Sequence, residues 1–236
     1  MALFYGGVLR YTAGRPDDPD RDALIVSEGD AGMALYPIFV DVGWVPQAEL
    51  AWFAQADGIL RLYPDPSIPG IDAVAGSPGH GLGIATGLAW AAKQDGRSRR
   101  AFVVLGDDEC WAGSVWESAQ FAAHHRLDNL IAIVDRNRLC RLGGTEELLA
   151  LGALEEKWRS FGWDTVHVDG HSHDALLGRG FARIGRTGGR PLAVVADTVA
   201  GKGISFMEHR AEWYDRLPTP GEAADARVEL ARTVTR

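Results

Sequence analysis

Cysteine is nearly missing from this chain: Cys110 and Cys140 are the only two among 236 residues. Two cysteines make neither a disulfide framework nor a thiolate metal site, and a reducing, cytoplasmic setting is expected. Long apolar runs are missing as well, which excludes a transmembrane helix and hence a membrane partner. No basic stretch followed by an apolar core opens the chain, so no secretory leader is expected. An excess of basic charge is lacking too. The net charge is −8, which argues against a nucleic-acid surface. There is no internal repeat and no low-complexity tract. What is present is 46% hydrophobic residues, enough to bury the core of one large α/β domain or two small ones.

The chemistry concentrates between Val103 and Gly143. Ala101 to Leu105 is a short apolar run, expected to be a buried strand. It ends in Gly106-Asp107-Asp108-Glu109. Val115, Ala119, Ala122 and Ala123 then share one face of a predicted helix over Ser114 to His125. Leu130 to Val134 is the next strand, ending in Asp135-Arg136-Asn137. A β-α-β unit places both strand ends on one edge of a parallel sheet, where ligands of open α/β sheets bind. Asp107 and Asn137 would supply hard oxygen donors suited to Mg²⁺ or Ca²⁺, and Mg²⁺ completes its shell with phosphate oxygens. Two ordinary strand-end turns would contain the same residue types. Cys110 follows the motif and is expected to pack.

Gly-Asp-x-Glu, a helix, then Asp-x-Asn after a second strand resembles the thiamine-diphosphate signature, and SVWESAQFAAHHRLDNLIAIVDRNRL is similar to the transketolase family. The resemblance implies a doubly wound, mostly parallel α/β fold with helices on both faces. It also implies that Asp107, the Asn137 side chain and the Leu139 carbonyl hold the metal. Gly76-Ser77-Pro78-Gly79-His80-Gly81 stands where the family has a glycine-rich loop lining the cofactor pocket. Gly76, Ser77 and Pro78, with Gly106, Asp107, Asp108, Glu109, Asn137 and Asp30, are the expected cofactor-binding residues. His80, Tyr63 and Tyr214 are candidate catalytic groups, although a structural role for His80 is the plainer expectation. Gly201-Lys202-Gly203-Ile204-Ser205-Phe206-Met207-Glu208 closely matches a further family segment.

Elsewhere the chain is expected to run as follows. Met1 to Tyr11 ends an amphipathic helix, and Leu24 to Val26 is a brief strand. A helix from Ser27 through Val40 follows, with Asp30 available as its cap, and Pro46 opens another. Thr145 can cap a short helix. Leu154, Trp158 and Phe161 share a helical face. Trp163 to Val168 and Pro191 to Thr198 are strands. His171 and His173 sit on a turn, and a two-residue histidine spacing is a poor metal case. A polar helix lies beyond Thr219.

Departures from the family pattern carry their own information. Asp30, Tyr63 and Tyr214 stand where the family has histidines, a fourth histidine segment precedes the point where this chain starts, and Glu28 replaces a lysine. Ala112 replaces a glutamate that couples paired sites, Arg141 an apolar residue, and Asp108 a glycine beside the diphosphate. The resemblance covers residues 1–236 as a single thiamine-diphosphate domain. The middle domain, which in the family donates the glutamate that protonates the aminopyrimidine, is not matched. The implied protein is one half of a split transketolase, inactive alone. It would pair two-plus-two with a carboxy-terminal subunit carrying the pyrimidine domain and act on a small ketose or acyl substrate. Three other readings are a non-catalytic scaffold chain of such a complex, one chain of a thiamine-dependent 2-oxoacid enzyme, and a non-enzyme α/β domain.

Overall fold

A computed structural model describes residues 1–234. Five strands form one sheet: β1 (Ala23–Val26), β2 (Ala101–Gly106), β3 (Leu130–Arg136), β4 (Asp164–Asp169) and β5 (Leu192–Asp197), in the order β1-β2-β3-β5-β4. Every pairing is parallel, so the carboxyl ends of all five strands meet at one edge. The expected doubly wound α/β architecture is the observed one.

Side chains alternate across the sheet, as the pleat requires. Ile25, Val103, Leu105, Ala132, Val134 and Val195 face one core. Helices α1 (Gly81–Gln94), α2 (Gly113–His124) and α3 (Leu154–Ser160) cover it with Leu82, Ala85, Val115, Ala119 and Trp158. Leu24, Phe102, Ile131, Ile133 and Val194 face the other core, against Phe4, Phe39, Trp44 and Phe181. Small residues on α1 and α2 let those helices lie close to the strands and to each other. The central strands read as near-continuous apolar runs because both faces are buried.

Several expected elements differ in kind. The segment after β1 is a 3₁₀ helix over Gly29–Leu35 followed by an α-helix over Tyr36–Asp41. A Cβ on Gly29 would stand 2.6 Å from the Tyr63 ring, and one on Gly32 would stand 2.2 Å from Pro64, so the tighter turn follows the path of the 63–64 segment over it. Residues Gln47–Trp52 are likewise 3₁₀, and the opening helix is limited to Ala2–Tyr5. Thr145 is not a cap: Gly144 holds that position, and Thr145 is the first, fully buried residue of the turn it was expected to precede. The polar helix α4 (Pro220–Val234) opens with a capping box: the Thr219 hydroxyl accepts from the Glu222 N–H, and the Glu222 carboxylate accepts from the Thr219 N–H. Among the described residues no helix is long and apolar enough to cross a membrane.

Trp163 is fully buried, stacks edge-on against Trp158 at 4.8 Å, and donates its indole N–H to the Ala119 carbonyl at 2.9 Å. Trp163→Ala should destabilise the fold by about 3–5 kcal/mol. Leu217→Ala, at a side chain 88% exposed, should change stability by less than about 0.5 kcal/mol. Urea unfolding of both variants checks the contrast.

Candidate active site at the carboxyl edge of the sheet

Glu109 organises the edge. It is buried, and one carboxylate oxygen accepts from the Ser27 hydroxyl at 2.6 Å and the Gly79 N–H at 2.7 Å. Its other oxygen accepts from the Gly106 N–H at 2.8 Å. The Ser27 hydroxyl in turn accepts from the Gly81 N–H at 3.1 Å. One carboxylate therefore ties the end of β1, the glycine-rich loop and the end of β2. Gly79 and Gly81 permit this closeness: Cβ atoms there would stand 2.5 Å from Ala112 and 2.4 Å from Ser27. Both Glu109 oxygens thus serve internal donors, making it a brace of the site.

Asp107 begins the turn after β2 and is 1% exposed. Its Oδ2 accepts from Arg136 Nη1 at 2.7 Å and from the Arg138 N–H at 3.0 Å, with the Thr145 hydroxyl at 3.5 Å. Its Oδ1 is buried and has no hydrogen-bond partner. Burial raises the Asp107 pKa, and the Arg136 guanidinium opposes that rise. Asn137 Oδ1 accepts from the Leu139 N–H at 2.8 Å. The Tyr214 hydroxyl donates to the Leu139 carbonyl at 3.0 Å and lies 3.4 Å from Asn137 Nδ2. The β-α-β crossover does bring the ends of β2 and β3 side by side, since the Asp107 N–H donates to the Asp135 carbonyl at 3.1 Å. Among the described residues no group of three or more His, Cys, Asp or Glu side chains could hold a metal. The oxygens on these two neighbouring turns are the Asp107 carboxylate, the Asn137 amide and the Leu139 carbonyl.

Beside this corner a cleft of about 270 Å³ is lined by Glu28, Tyr63, Gly76, Pro78, Asp108, Arg141 and Tyr214 among others. Several residues singled out from the sequence meet there. Ser77 lies on the same loop, exposed. His80 is exposed at the head of α1, makes no side-chain cap bond and does not line the cleft. Glu28, not Asp30, occupies the cap position of the 3₁₀ helix, and the Asp30 side chain lies outside the described residues. Asn137 and Leu139 line a separate depression with His171, Asp197 and Thr198. There the His171 ring accepts from the Val199 N–H at 2.8 Å. Cys110 packs in the core, where burial pushes its thiol pKa up.

The cleft is acidic. A Cβ on Gly106 would stand 2.7 Å from an Asp108 carboxylate oxygen and 3.4 Å from one of Glu28, so both carboxylates converge over Gly106, and a side chain there would displace the Asp108 carboxylate. Burial, then the Asp107 and Glu109 charges, push the Asp108 pKa up to about 6. Burial and the Glu28 charge likewise raise the Tyr214 phenol. Arg141 brings positive charge to the rim and pairs with Asp215 at 2.7 Å. Sequence reasoning missed Ser27, the buried Arg136 and Thr145, and the exposed Glu146 that pairs with Arg136. The signal for Arg136 was a charged residue at the end of an otherwise apolar strand.

Residues 2–214 match the family described as "Transketolase, thiamine diphosphate binding domain". One subunit of the apulose-4-phosphate transketolase of Phocaeicola vulgatus is 32% identical over 234 residues, covering 99% of this chain and 83% of that protein. Transketolase-like protein 2 of Mus musculus is 36% identical over 231 residues, 98% of this chain but only 36% of that longer protein. The crystal structure of Campylobacter jejuni transketolase superposes with a TM-score of 0.81 at 24% identity, covering 86% of this chain and 33% of that one; at that identity the likeness speaks for the fold alone. With the motif, the sheet edge and these matches in agreement, the chain belongs to the transketolase family, as a member of its thiamine-diphosphate-binding domain.

Proposed function

We propose that this chain is the diphosphate-anchoring half of a two-chain transketolase that transfers a two-carbon ketol unit. The observation that carries the reading is the orphaned Asp107 Oδ1, a buried carboxylate oxygen without a protein partner at the sheet edge where α/β proteins take ligands. A buried, unpaired anionic oxygen is costly, and a divalent cation offsets that cost. Asn137 Oδ1 and the Leu139 carbonyl each accept one hydrogen bond and keep a second lone pair. An all-oxygen donor set fits Mg²⁺, or Ca²⁺, better than a softer metal. Bound thiamine diphosphate would supply the carbanion chemistry, and the protein would position it.

The chain's own residues would divide the work. Asp107, Asn137 and Leu139 hold the metal. The Gly76-Ser77-Pro78 turn and Gly106 offer close backbone approach to the diphosphate. Tyr63 and Tyr214 line the cleft where substrate or cofactor would lie, and burial with the Glu28 charge raises the Tyr214 phenol pKa. Two relatives are named as single subunits of a transketolase, which supports a partner chain. The pyrimidine-binding domain, with its proton-donating glutamate, is assigned to that partner in a two-plus-two assembly. The same names favour a ketose phosphate as substrate, and a cytoplasmic setting suits such a metabolite. A scaffold role is the second reading, favoured by the Asp108 and Glu28 carboxylates where a diphosphate must enter.

In calorimetry of the paired chains, Asp107→Ala should weaken Mg²⁺-dependent thiamine diphosphate binding by more than about tenfold, since loss of outer-sphere partners alone costs 10–100-fold. Unchanged affinity removes Asp107 from the metal. Ketol transfer should require both chains, and activity of this chain purified alone would overturn the split-enzyme reading. The Asp108 proton gives a third outcome. The folded chain binds it more tightly than the unfolded one, so its contribution to stability falls as pH rises from about 4 to about 6 and stays low above. Asp108→Asn should therefore raise the thermal midpoint at pH 7.5, with the gain vanishing at pH 4. A gain of equal size at both pH values would show that the Asp108 charge is not its cause.

A further inference from the structure

Arg136 is the last residue of β3 and its side chain is 6% exposed. A guanidinium stays protonated under all conditions a folded protein meets, so its burial requires matched anions. The match is made by two carboxylates. Nη1 donates to Asp107 Oδ2 at 2.7 Å and lies 3.4 Å from the Thr145 hydroxyl, and Nη2 donates to Glu146. Glu146 also accepts from the Leu151 and Gly152 N–H groups, each at 3.2 Å. Arg136 therefore spans both ends of the loop that carries Asn137 and Leu139. That loop is also held by the small pairing of Leu139–Cys140 with Gly143–Gly144, by the Thr145 N–H to the Arg138 carbonyl, by the Arg138 N–H to Asp107, by the Tyr214 hydroxyl to the Leu139 carbonyl, and by the Arg138–Asp197 and Arg141–Asp215 ion pairs. The distribution of donors on Asp107 is lopsided: Oδ2 receives every one of them and Oδ1 none.

We infer that Arg136 is a resident cation that shares Asp107 with the divalent ion. It occupies Oδ2, leaves Oδ1 as the one Asp107 oxygen for the metal, and keeps the 137–146 loop folded before any metal arrives. This rests on the metal reading above. Its consequence is that loop order is independent of Mg²⁺ in this chain: the guanidinium does the structural part of the ion's work, and the ion is left with the diphosphate. Arg136 is in this sense a positioning residue.

The test uses the full chain without thiamine diphosphate, comparing wild type, Arg136→Met and Arg136→Lys in EDTA and in millimolar Mg²⁺. Hydrogen exchange of the 137–146 amides and the thermal midpoint are the readouts. Wild type should show the same loop protection in both buffers. Arg136→Met, which keeps the stem and drops the charge, should lose about tenfold protection in EDTA and recover most of it in Mg²⁺. Lysine cannot grip two carboxylates with one fork, so Arg136→Lys should fall between them, and it carries the test if the methionine variant does not fold. Wild-type protection in the EDTA-treated variants, or a loss that Mg²⁺ does not restore, overturns the inference. A separate titration of the paired wild-type and Arg136-variant chains with Mg²⁺ and thiamine diphosphate together distinguishes the two failures. If that binding is metal-dependent while the Arg136 variants behave as wild type, only the role of Arg136 falls. If it shows no metal dependence, the metal reading falls and takes this inference with it.

Discussion

Parallel strands end with their last backbone groups side by side and no further strand to receive them, so the carboxyl edge of such a sheet must be closed by loops that supply their own partners. Here the closure runs through Glu109. Its two oxygens take donors from the end of β1, from the loop before α1 and from the end of β2. Those segments are far apart in sequence, and their relative placement defines the cleft. Without this carboxylate, Gly79 and Gly106 would present buried N–H groups to nothing, at a penalty of about 1–3 kcal/mol each. The cleft exists because the brace holds its walls at fixed separation.

On that frame the electrostatics are arranged in two layers. Beneath the surface, Arg136 neutralises Asp107 and Glu146. At the surface, Glu28 and Asp108 converge over Gly106, with Arg141 on the rim. A diphosphate approaching this cleft meets like charge first, so a divalent ion or a protonated Asp108 must accompany it. The raised Asp108 pKa is the free chain's response to the same crowding. The family's glycine at this position carries no such charge, so the departure at Asp108 alters the electrostatics at the mouth of the cleft, while the Asp107 Oδ1 beside it stays unpaired.

Much of this was legible from residue pattern alone. The β2-α2-β3 unit, the alternation that divides the two cores, and the convergence of Asp107 with the Asn137 turn follow from periodicity and the handed crossover. Tyr63, Gly76, Pro78 and Tyr214, which the resemblance singled out, line one cleft. What the pattern could not carry is contact between distant side chains: Glu109 with Ser27 spans 82 residues, and Arg136 with Asp107 spans 29. Thr145 illustrates the failure. Its position before Glu146-Glu147 is what a helix cap requires, yet its hydroxyl turns inward toward the Arg136–Asp107 pair. The 3₁₀ turns of Gly29–Leu35 were missed for a related reason, since the apolar spacing is helical and the tightening follows the crossing of Tyr63 and Pro64.

Tyr214 draws these threads together. A histidine at this place could donate, accept and change charge near neutral pH. A phenol keeps the hydrogen bonding and gives up the titration, and burial with Glu28 nearby holds its proton more firmly still. Its hydroxyl therefore donates to the Leu139 carbonyl across the whole physiological range. That makes it a fixed support of the same loop that Arg136 anchors from below. Two groups in one corner, a phenol where the family has a titrating ring and a guanidinium at the end of β3, act in the same direction. Both keep their charge state near neutral pH. In this chain the 137–146 loop is therefore held from both sides, by the phenol at Leu139 and by the guanidinium through Asp107 and Glu146.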